Sequence, residues 1–350
     1  MVLAFSRPFM ARMSALLAGA LLTASCSGGG TDVATDTSDA AAATGESCAP
    51  ELATLEFGII STESADNLKT TWEPFLADMS EQLGREVVGF YATDYAGVIE
   101  AMGANKVQIA WYGGKSYIEA AERSNAEAFA QTVSMDGSKG YFSHLITNKD
   151  NPIVSEIDLE AGNGDAYVIE NAGDLTFAFN DPNSTSGFLV PTYYVFAQNG
   201  ANADEIFEEL IFAGSHEATA LAIANNQVDV ATNNNENLDR LKETDPAALE
   251  NIEIIWTSPV IPSDPLAYRN DLPECVKAEL QDFMYNYDNE EVLTALQWQG
   301  LDPAGDEDWN TIRELQIAKD LLEVQNDDTL AAADKEAKVE ELNQKLEALK

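Results

Sequence analysis

Residues 181–187 read DPNSTSG and directly follow LTFAF at 175–179, an apolar segment with the length and composition of a buried strand. A helical run is predicted after them, so three successive hydroxyl side chains, Ser184, Thr185 and Ser186, stand at its start. Hydroxyl groups and the free N–H groups of a helix start attract anions by hydrogen bonding and through the helix dipole. The run therefore predicts an oxyanion site, although an ordinary capped helix would have the same local sequence.

Short apolar segments alternate with segments of helical spacing along most of the chain. A polar stretch at 150–174 interrupts the alternation and is expected to be a loop or a crossing region. The order indicates an α/β fold with largely parallel sheets. Strands are expected at 55–60, 87–91, 107–111, 129–133, 141–147, 175–179, 228–231 and 252–256, and helices at 72–83, 99–104, 116–124, 192–198, 203–211 and 217–225.

Two further strand ends carry polar or glycine-rich turns. DYAG at 94–97 follows the predicted strand 87–91 and opens a helix, where Tyr95 offers a phenol to an anion. WYGG at 111–114 ends the next strand. Open α/β sheets bind ligands at the carboxyl ends of their strands, so these turns are expected near the site at 181–187.

The first 25 residues have the features of a secretory signal, with Arg7 and Arg12, an apolar run at 15–22 and small residues before Cys26. Cys26 in this position resembles the lipidated cysteine of bacterial lipoproteins. We therefore expect a lipoprotein signal peptide at 1–25, exported and lipid-anchored at Cys26; the alternative is an ordinary signal peptide with a chance cysteine. Residues 26–50 are rich in Gly, Ser, Thr, Asp and Ala, a composition typical of a flexible tether.

The chain is strongly acidic, with 60 Asp and Glu against 19 Lys and Arg, and a formal charge of −41. Nucleic acids and anionic membrane surfaces are poor partners for such a field, so membrane attachment is expected through lipid alone. The charge also means that an anion site in this protein must rely on local donors. Helix-start dipoles act within about 4 Å, whereas surface carboxylates lie farther away and are screened over about 8 Å.

Two cysteines remain after Cys26, namely Cys48 and Cys275. An exported protein meets an oxidising compartment, where two cysteines can pair. A disulfide would join the start of the fold to its last third. The alternative is a pair of free thiols.

Near the carboxyl end, Val339, Leu342, Leu346 and Leu349 lie at heptad-like spacing. The tail 326–350 is therefore expected to be helical. Either it forms a homodimer contact or it is a surface helix.

Motifs for catalysis are missing from the sequence. It has two histidines, no HExxH and no CxxC pair, and neither the GxSxG elbow of hydrolases nor a phosphate-binding GxxxxGK[ST] loop. We expect no metal, no cofactor and no enzymatic activity.

Several runs together resemble one protein family. These are FGIISTES at 57–64, DYAG at 94–97, IAWYG at 109–113, DPNSTSG at 181–187 and VDVATNN at 228–234. In this order they are similar to the phosphonate-binding proteins of bacterial phosphonate ABC transporters. The resemblance covers about 55–300.

The resemblance implies a two-lobed periplasmic-binding-protein fold of type II, with each lobe a mostly parallel sheet flanked by helices and a hinge between the lobes. We expect lobe 1 at 51–147 and 263–325, lobe 2 at 148–262 and the helical tail at 326–350. The chain would cross between lobes near 145–148 and again near 259–264. Ligand would bind between the lobes and favour the closed form.

The resemblance also implies the ligand contacts. The preferred ligand of the family, 2-aminoethylphosphonate, is a zwitterion, so it needs donors at one end and acceptors at the other. Two acids, Glu236 and Asp264, match the positions that hold the amine. The contacts to the phosphonate group match Tyr95, Tyr141, Ser184, Thr185, Ser186 and His216.

These expectations describe a solute-binding protein that delivers a phosphonate to the permease of an ABC importer. Two alternatives remain open at this point. One is the same fold with phosphite or phosphate as ligand, and the other is an exported hydrolase of a phosphonate or phosphate ester.

Overall fold

The computed structural model describes residues 48–350. The expected signal peptide at 1–25, the lipidation at Cys26 and all but the last three residues of the expected tether lie outside the described residues. The strands are β1 Thr54–Ile59, β2 Glu86–Tyr91, β3 Ile109–Trp111, β4 Ala126–Ser134, β5 Gly140–Tyr141, β6 Ser143–Asn148, β7 Thr176–Phe179, β8 Glu209–Phe212, β9 Val230–Asn234, β10 Ile252–Thr257, β11 Ile261–Pro262, β12 Pro265–Arg269 and β13 Trp298–Pro303.

Helices connect these strands on both sides of the sheets. Two short π-helical segments, Thr185–Leu189 and Thr192–Phe196, follow β7. The α-helices are α1 Ala65–Leu83, α2 Tyr95–Gly103, α3 Gly114–Arg123, α4 Ile153–Glu156, α5 Gly164–Glu170, α6 Ala203–Ile206, α7 His216–Ala224, α8 Asn235–Thr244, α9 Pro246–Leu249, α10 Glu274–Asn286, α11 Glu290–Leu296, α12 Asn310–Asn326 and α13 Ala332–Ala348.

The first lobe is built on a six-stranded sheet with the order β13-β4-β12-β3-β1-β2. Strands β1, β2 and β3 pair in parallel, whereas β12 runs antiparallel between β3 and β4. Helix α1 covers one face. Its buried Trp72 and Phe75 pack on Phe57 of β1 with ring centroids 5.5 and 6.2 Å apart. The helix begins at the N-cap Ser64 and ends at Gly84, whose φ of 63° suits glycine.

The second lobe has a five-stranded sheet with the order β10-β6-β9-β7-β8. Strands β7, β8 and β9 are parallel, and β6 is antiparallel to both of its neighbours. The two sheets and their flanking helices confirm the expected α/β class. The expectation of a mostly parallel sheet in each lobe was wrong. A strand that enters from the other lobe is inserted antiparallel in each sheet, so both sheets are mixed.

A short antiparallel pair, β5 with β11, joins the lobes. The chain enters the second sheet at Ser143 and returns to the first sheet at Pro265. We expected lobe 1 to extend to residue 147, but β6 pairs with β9 and β10 from Ser143 onward. The first crossing therefore lies at residues 141–142. The apolar alternation runs through the crossing, so the change of sheet could not be predicted from local sequence.

Two local expectations were wrong. The predicted helix at 203–211 is a helical turn, α6, followed by the edge strand β8, which pairs with β7. The expected loop at 150–174 contains α4 and α5. In both places long-range packing overrides weak local preference.

A disulfide joins Cys48 to Cys275, the second residue of α10. The bond spans 227 residues of sequence. Beside it, the Arg85 guanidinium donates to the carbonyls of Cys48 and Leu52 and to Glu279. These contacts fix the first described residues against α10 of the first lobe.

The last two helices pack on the back of the fold. Helix α12 contacts α3 of the first lobe and the segment Thr192–Phe196 of the second. Helix α13 folds back on α12, and its Leu342 and Leu349 face a groove lined by Ile118 and Ile317. The heptad-like positions are therefore partly covered within the chain, and dimerisation through this tail stays a prediction.

Within residues 48–350, no helix combines the length and the apolar character needed to cross a bilayer.

Candidate ligand-binding site

A cavity lies between the two lobes, at the carboxyl ends of several strands, and receives side chains from both lobes. The structure brings together all eight side chains that the sequence assigned to the ligand. They are Tyr95, Tyr141, Ser184, Thr185, Ser186, His216, Glu236 and Asp264.

The loop after β7 is shaped by its own hydrogen bonds. The Ser184 hydroxyl accepts from the Gly187 N–H at 3.0 Å, which is the N-cap bond expected from the sequence. The Asp181 carboxylate accepts from the Asn183 N–H at 2.7 Å. These bonds fix the backbone, and the first N–H groups of the following helical turn have no acceptor within that turn. The three hydroxyl-bearing residues of this loop line the cavity.

Gly187 is required at its position because the chain packs too closely for a side chain. A Cβ there would lie 2.4 Å from Asn180 Cβ and 2.8 Å from Ser184 Oγ. Asn180 in turn donates to the Ser184 hydroxyl at 3.2 Å and to the Tyr95 hydroxyl at 3.3 Å. One glycine thus sets the distance between the hydroxyl run and the tyrosine of the opposite lobe.

Hydrogen bonds across the cleft hold the lobes together at this end. The Lys115 N–H of the first lobe donates to the Thr185 hydroxyl at 2.9 Å. The Tyr95 N–H, at the start of α2, donates to the Asp181 carboxylate at 3.4 Å. Gly113 permits this approach, since a Cβ there would lie 3.1 Å from Thr185 Oγ1. The described structure is therefore the closed form.

Ser186, His216 and Asn234 form a buried polar cluster beside the cavity. The Asn234 amide donates to the Ser186 hydroxyl at 3.0 Å and lies 3.3 Å from His216 Nε2. Burial lowers the pKa of His216 to about 3, so the ring is neutral. With Nε2 facing the Asn234 amide donor, the ring proton belongs on Nδ1, which makes no hydrogen bond within the described chain.

Two carboxylates, Glu236 and Asp264, also line the cavity. Asp264 is buried, and its Oδ1 has no hydrogen-bond partner among the described residues. Burial raises the pKa of Asp264, and the charge on Glu236 raises it further. Burial also raises the pKa of Glu236, which Arg240 opposes. Two such acids are stabilised in their ionised form by a cation placed between them.

The sequence missed several polar residues of the cavity wall. Asn234 is the clearest case, because its Oδ1 also accepts from the Asn237 N–H at 2.7 Å as the N-cap of α8. An asparagine between a strand and a helix is typical of an N-cap, so the sequence could have indicated Asn234. The others face the cavity through tertiary packing alone. The missed polar residues include Thr62, Glu63, Thr132, Asn234, Asn237 and Arg240.

Between Cys48 and Lys350, no group of three or more His, Cys, Asp or Glu side chains is arranged to hold a metal ion. Arg240 is the one cationic side chain among the described residues of the cavity wall. The anion-binding end therefore consists of neutral donors, which suits an oxyanion held by hydrogen bonds.

The chain is similar to known proteins over most of its length. Residues 57–309 match the family model for the periplasmic substrate-binding protein of phosphonate ABC transporters. The phosphonates-binding periplasmic protein of Escherichia coli is 48% identical over 299 residues, which cover 84% of this chain and 85% of that protein.

Two further similarities concern a solved structure and a more distant relative. The crystal structure of a binding protein component of an ABC phosphonate transporter from Pseudomonas aeruginosa has a TM-score of 0.79 and 46% identity, and the match covers 85% of this chain and 96% of that one. A phosphate-import protein of Mycolicibacterium smegmatis is 32% identical over 217 residues, 60% of each chain.

Substitution of Gly187 by Ala should disrupt the hydroxyl run. The added methyl group would displace Asn180 and Ser184, so we expect affinity for a phosphonate to fall at least about tenfold. Isothermal titration calorimetry measures the loss. Gly173→Ala is the matched control, because a Cβ there meets nothing within 4 Å. Equal affinity of both variants would contradict the role assigned to the loop.

Proposed function

The chain belongs to the family of periplasmic substrate-binding proteins of phosphonate ABC transporters, and from that premise we propose that its ligand is 2-aminoethylphosphonate. As a member of this family it acts in the periplasm, and its partner is the permease of the importer. The observation that carries the proposal is the polarity of the cavity. Neutral donors and two acids with raised pKa values line the same cavity, and we infer that they hold opposite ends of the ligand.

The donor end fits the phosphonate group. A doubly charged oxyanion has three oxygens, and each accepts hydrogen bonds. The hydroxyls of Ser184, Thr185 and Ser186 and the phenols of Tyr95 and Tyr141 supply donors around the cavity, and neutral His216 lines it beside them. Because these donors are neutral, a ligand brings its own charge into a site that is already held in place by hydrogen bonds.

The acid end fits an ammonium group. Glu236 and Asp264 are desolvated together, so at neutral pH their mutual repulsion favours retention of a proton. An ammonium between them would replace that proton and supply donors, including one for the unpaired Asp264 Oδ1. A ligand without an amine leaves both acids without a cation, which is a cost of about 1–3 kcal/mol.

Phosphate or phosphite remains the main alternative ligand, since one relative is described as a phosphate-import protein. Either anion could use the donor end. Neither anion carries a cationic group that could contact Glu236 and Asp264. The buried acid pair therefore favours the aminophosphonate.

A hydrolase is the second alternative, because Ser186 Oγ lies 3.4 Å from His216 Nε2. That pair is unsuited to nucleophilic attack. Burial holds the pKa of His216 at about 3, and Nδ1 has no carboxylate beside it among the described residues. Recovery of unchanged ligand after prolonged incubation would contradict the hydrolase alternative.

We further propose that Cys26 carries a lipid that keeps the protein beside the importer. The sequence around Cys26 supports this, as residues 27–47 would then link the anchor to the fold. Cys26→Ser should move the protein from the membrane fraction to the soluble periplasmic fraction, with ligand affinity unchanged. Fractionation and immunoblotting measure the shift. A wild-type protein found wholly in the soluble fraction would contradict lipidation.

Glu236→Gln should selectively weaken binding of the aminophosphonate. We expect affinity for 2-aminoethylphosphonate to fall about 10- to 100-fold, because one charge-assisted contact is lost. Affinity for n-propylphosphonate, in which a methyl group replaces the ammonium, should change by less than about threefold. Calorimetric titrations with both ligands, methylphosphonate, phosphite and phosphate measure the order of preference.

Asp239→Asn is the matched control for this variant. It removes the same charge from the same helix, but its side chain is half-exposed and pairs with Lys242 outside the cavity wall. It should leave all five affinities close to those of the wild type. The assignment fails if Glu236→Gln weakens both phosphonates equally, or if the wild type prefers phosphate.

Binding of the amine should release protons. Burial raises the pKa values of Glu236 and Asp264 in the free protein, and an ammonium lowers them again, so affinity should fall as pH decreases from about 8 to about 5. Calorimetry in buffers of different ionisation enthalpy counts the protons. Since the phosphonate group itself titrates, n-propylphosphonate is the reference ligand. Equal proton release with both ligands would contradict the acid pair.

A further inference from the structure

Helix α8 carries an acid and a base one turn apart. Glu236 and Arg240 have the i, i+4 spacing at which Glu and Arg pair readily along a helix, with the acid nearer the N-terminus. In the closed structure they form no ion pair. Arg240 Nε instead lies 2.7 Å from Oε1 of Glu63, which follows β1 in the opposite lobe.

The other nitrogens of Arg240 also point toward the first lobe. They donate to the carbonyls of Ala295 at 3.3 Å and Leu296 at 3.5 Å, at the end of α11. Every partner that holds the guanidinium head is thus across the cleft from α8. These contacts form only when the lobes approach, because Glu63 and α11 belong to the first lobe and Arg240 to the second.

The Glu63–Arg240 contact is largely shielded from solvent. The Glu63 side chain is 6% exposed and that of Arg240 is 20% exposed. Burial raises the pKa of Glu63, and Arg240 acts against that rise. Attraction between opposite charges strengthens as water is excluded, so closure favours Glu63 as the partner of the guanidinium.

We propose that Glu63 and Glu236 compete for Arg240, and that closure of the cleft transfers the guanidinium from Glu236 to Glu63. In the open cleft, Glu63 is out of reach and Glu236 is the acid one turn away. On closure Glu63 takes the guanidinium, and Glu236 is left to accept the ligand's ammonium. Glu63 is therefore a positioning residue that sets specificity through Arg240. The inference rests on the proposed function, since it assumes an amine at Glu236.

The exchange couples amine recognition to closure. A cation paired directly with Glu236 would compete with the ligand's ammonium, whereas a cation held by Glu63 acts on Glu236 only from a distance and competes less. Without Glu63, the guanidinium would stay on Glu236 in the closed form as well. The acid end would then be less negative, and it would discriminate less between an aminophosphonate and its uncharged analogue.

The test compares two ligands in four proteins. Calorimetry measures the affinities for 2-aminoethylphosphonate and n-propylphosphonate, and their ratio is the discrimination. We expect Glu63→Gln to lower the discrimination at least about tenfold. The double variant Glu63→Gln/Arg240→Gln should restore it to within about threefold of the wild type, because no guanidinium remains to occupy Glu236.

Glu217→Ala is the control for a clasp, that is, a contact that only holds the two lobes together. The Glu217 carboxylate accepts from the Ser64 N–H at 2.5 Å and the Asn67 amide at 2.8 Å, both in the opposite lobe. It binds no cation among the described residues, although its charge contributes to the raised pKa of Glu63. Its loss leaves the Glu63–Arg240 pair in place, so it should weaken both ligands by the same factor. Thermal melting of each variant shows whether it is folded.

The outcomes separate the two proposals. If Glu63→Gln lowers the affinities for both ligands by the same factor, Glu63 is a clasp like Glu217. The proposed exchange is then wrong, while the proposed function stands. The proposed exchange is also wrong if the discrimination of the double variant is as low as that of Glu63→Gln. If the wild type itself does not prefer the amine over the methyl analogue, the proposed function fails and the exchange fails with it.

Discussion

The hydrogen bond from the Gly187 N–H to the Ser184 hydroxyl holds the donor end of the cavity in shape. It closes the loop after β7, where Thr185 meets Lys115 of the opposite lobe and Ser186 meets Asn234 of its own lobe. Because Gly187 has no side chain, Asn180 has the space to bridge this loop to Tyr95 of the first lobe. Ser184 and Ser186 are held by bonds within their own lobe, which limits the entropy lost on binding.

The acidity of the protein and its affinity for an anion are compatible because they act over different distances. A formal charge of −41 is spread over a solvated surface, where salt screens it. Inside the closed cleft, the dipoles of hydroxyls and amides are within hydrogen-bond distance and are poorly screened. The same low dielectric makes Glu236 and Asp264 costly to ionise together. The proposed ligand, which carries both a phosphonate and an ammonium group, would suit both features of this environment.

Arg240 illustrates how closure of the cleft can change the partner of a charged side chain. Along α8 its natural partner is Glu236, but in the closed structure it pairs with Glu63 across the lobes. An ion pair between lobes stabilises closure and at the same time changes which acid is free. Specificity in such a protein depends on the residues of the cavity wall and also on which of the charged ones are already paired when the lobes meet.

The sequence by itself determined the features that are encoded within a few residues. These are the N-capped hydroxyl run at 184–187, the strand that precedes it and the α/β alternation, because capping bonds and side-chain periodicity are local. The eight expected site residues were named through resemblance to a family, and the structure places them around one cavity. Only the tertiary structure decided that β8 is an edge strand, that the chain changes sheets at 141–142, and that Glu63 meets Arg240. Those outcomes depend on contacts between residues far apart in sequence, which local spacing does not encode.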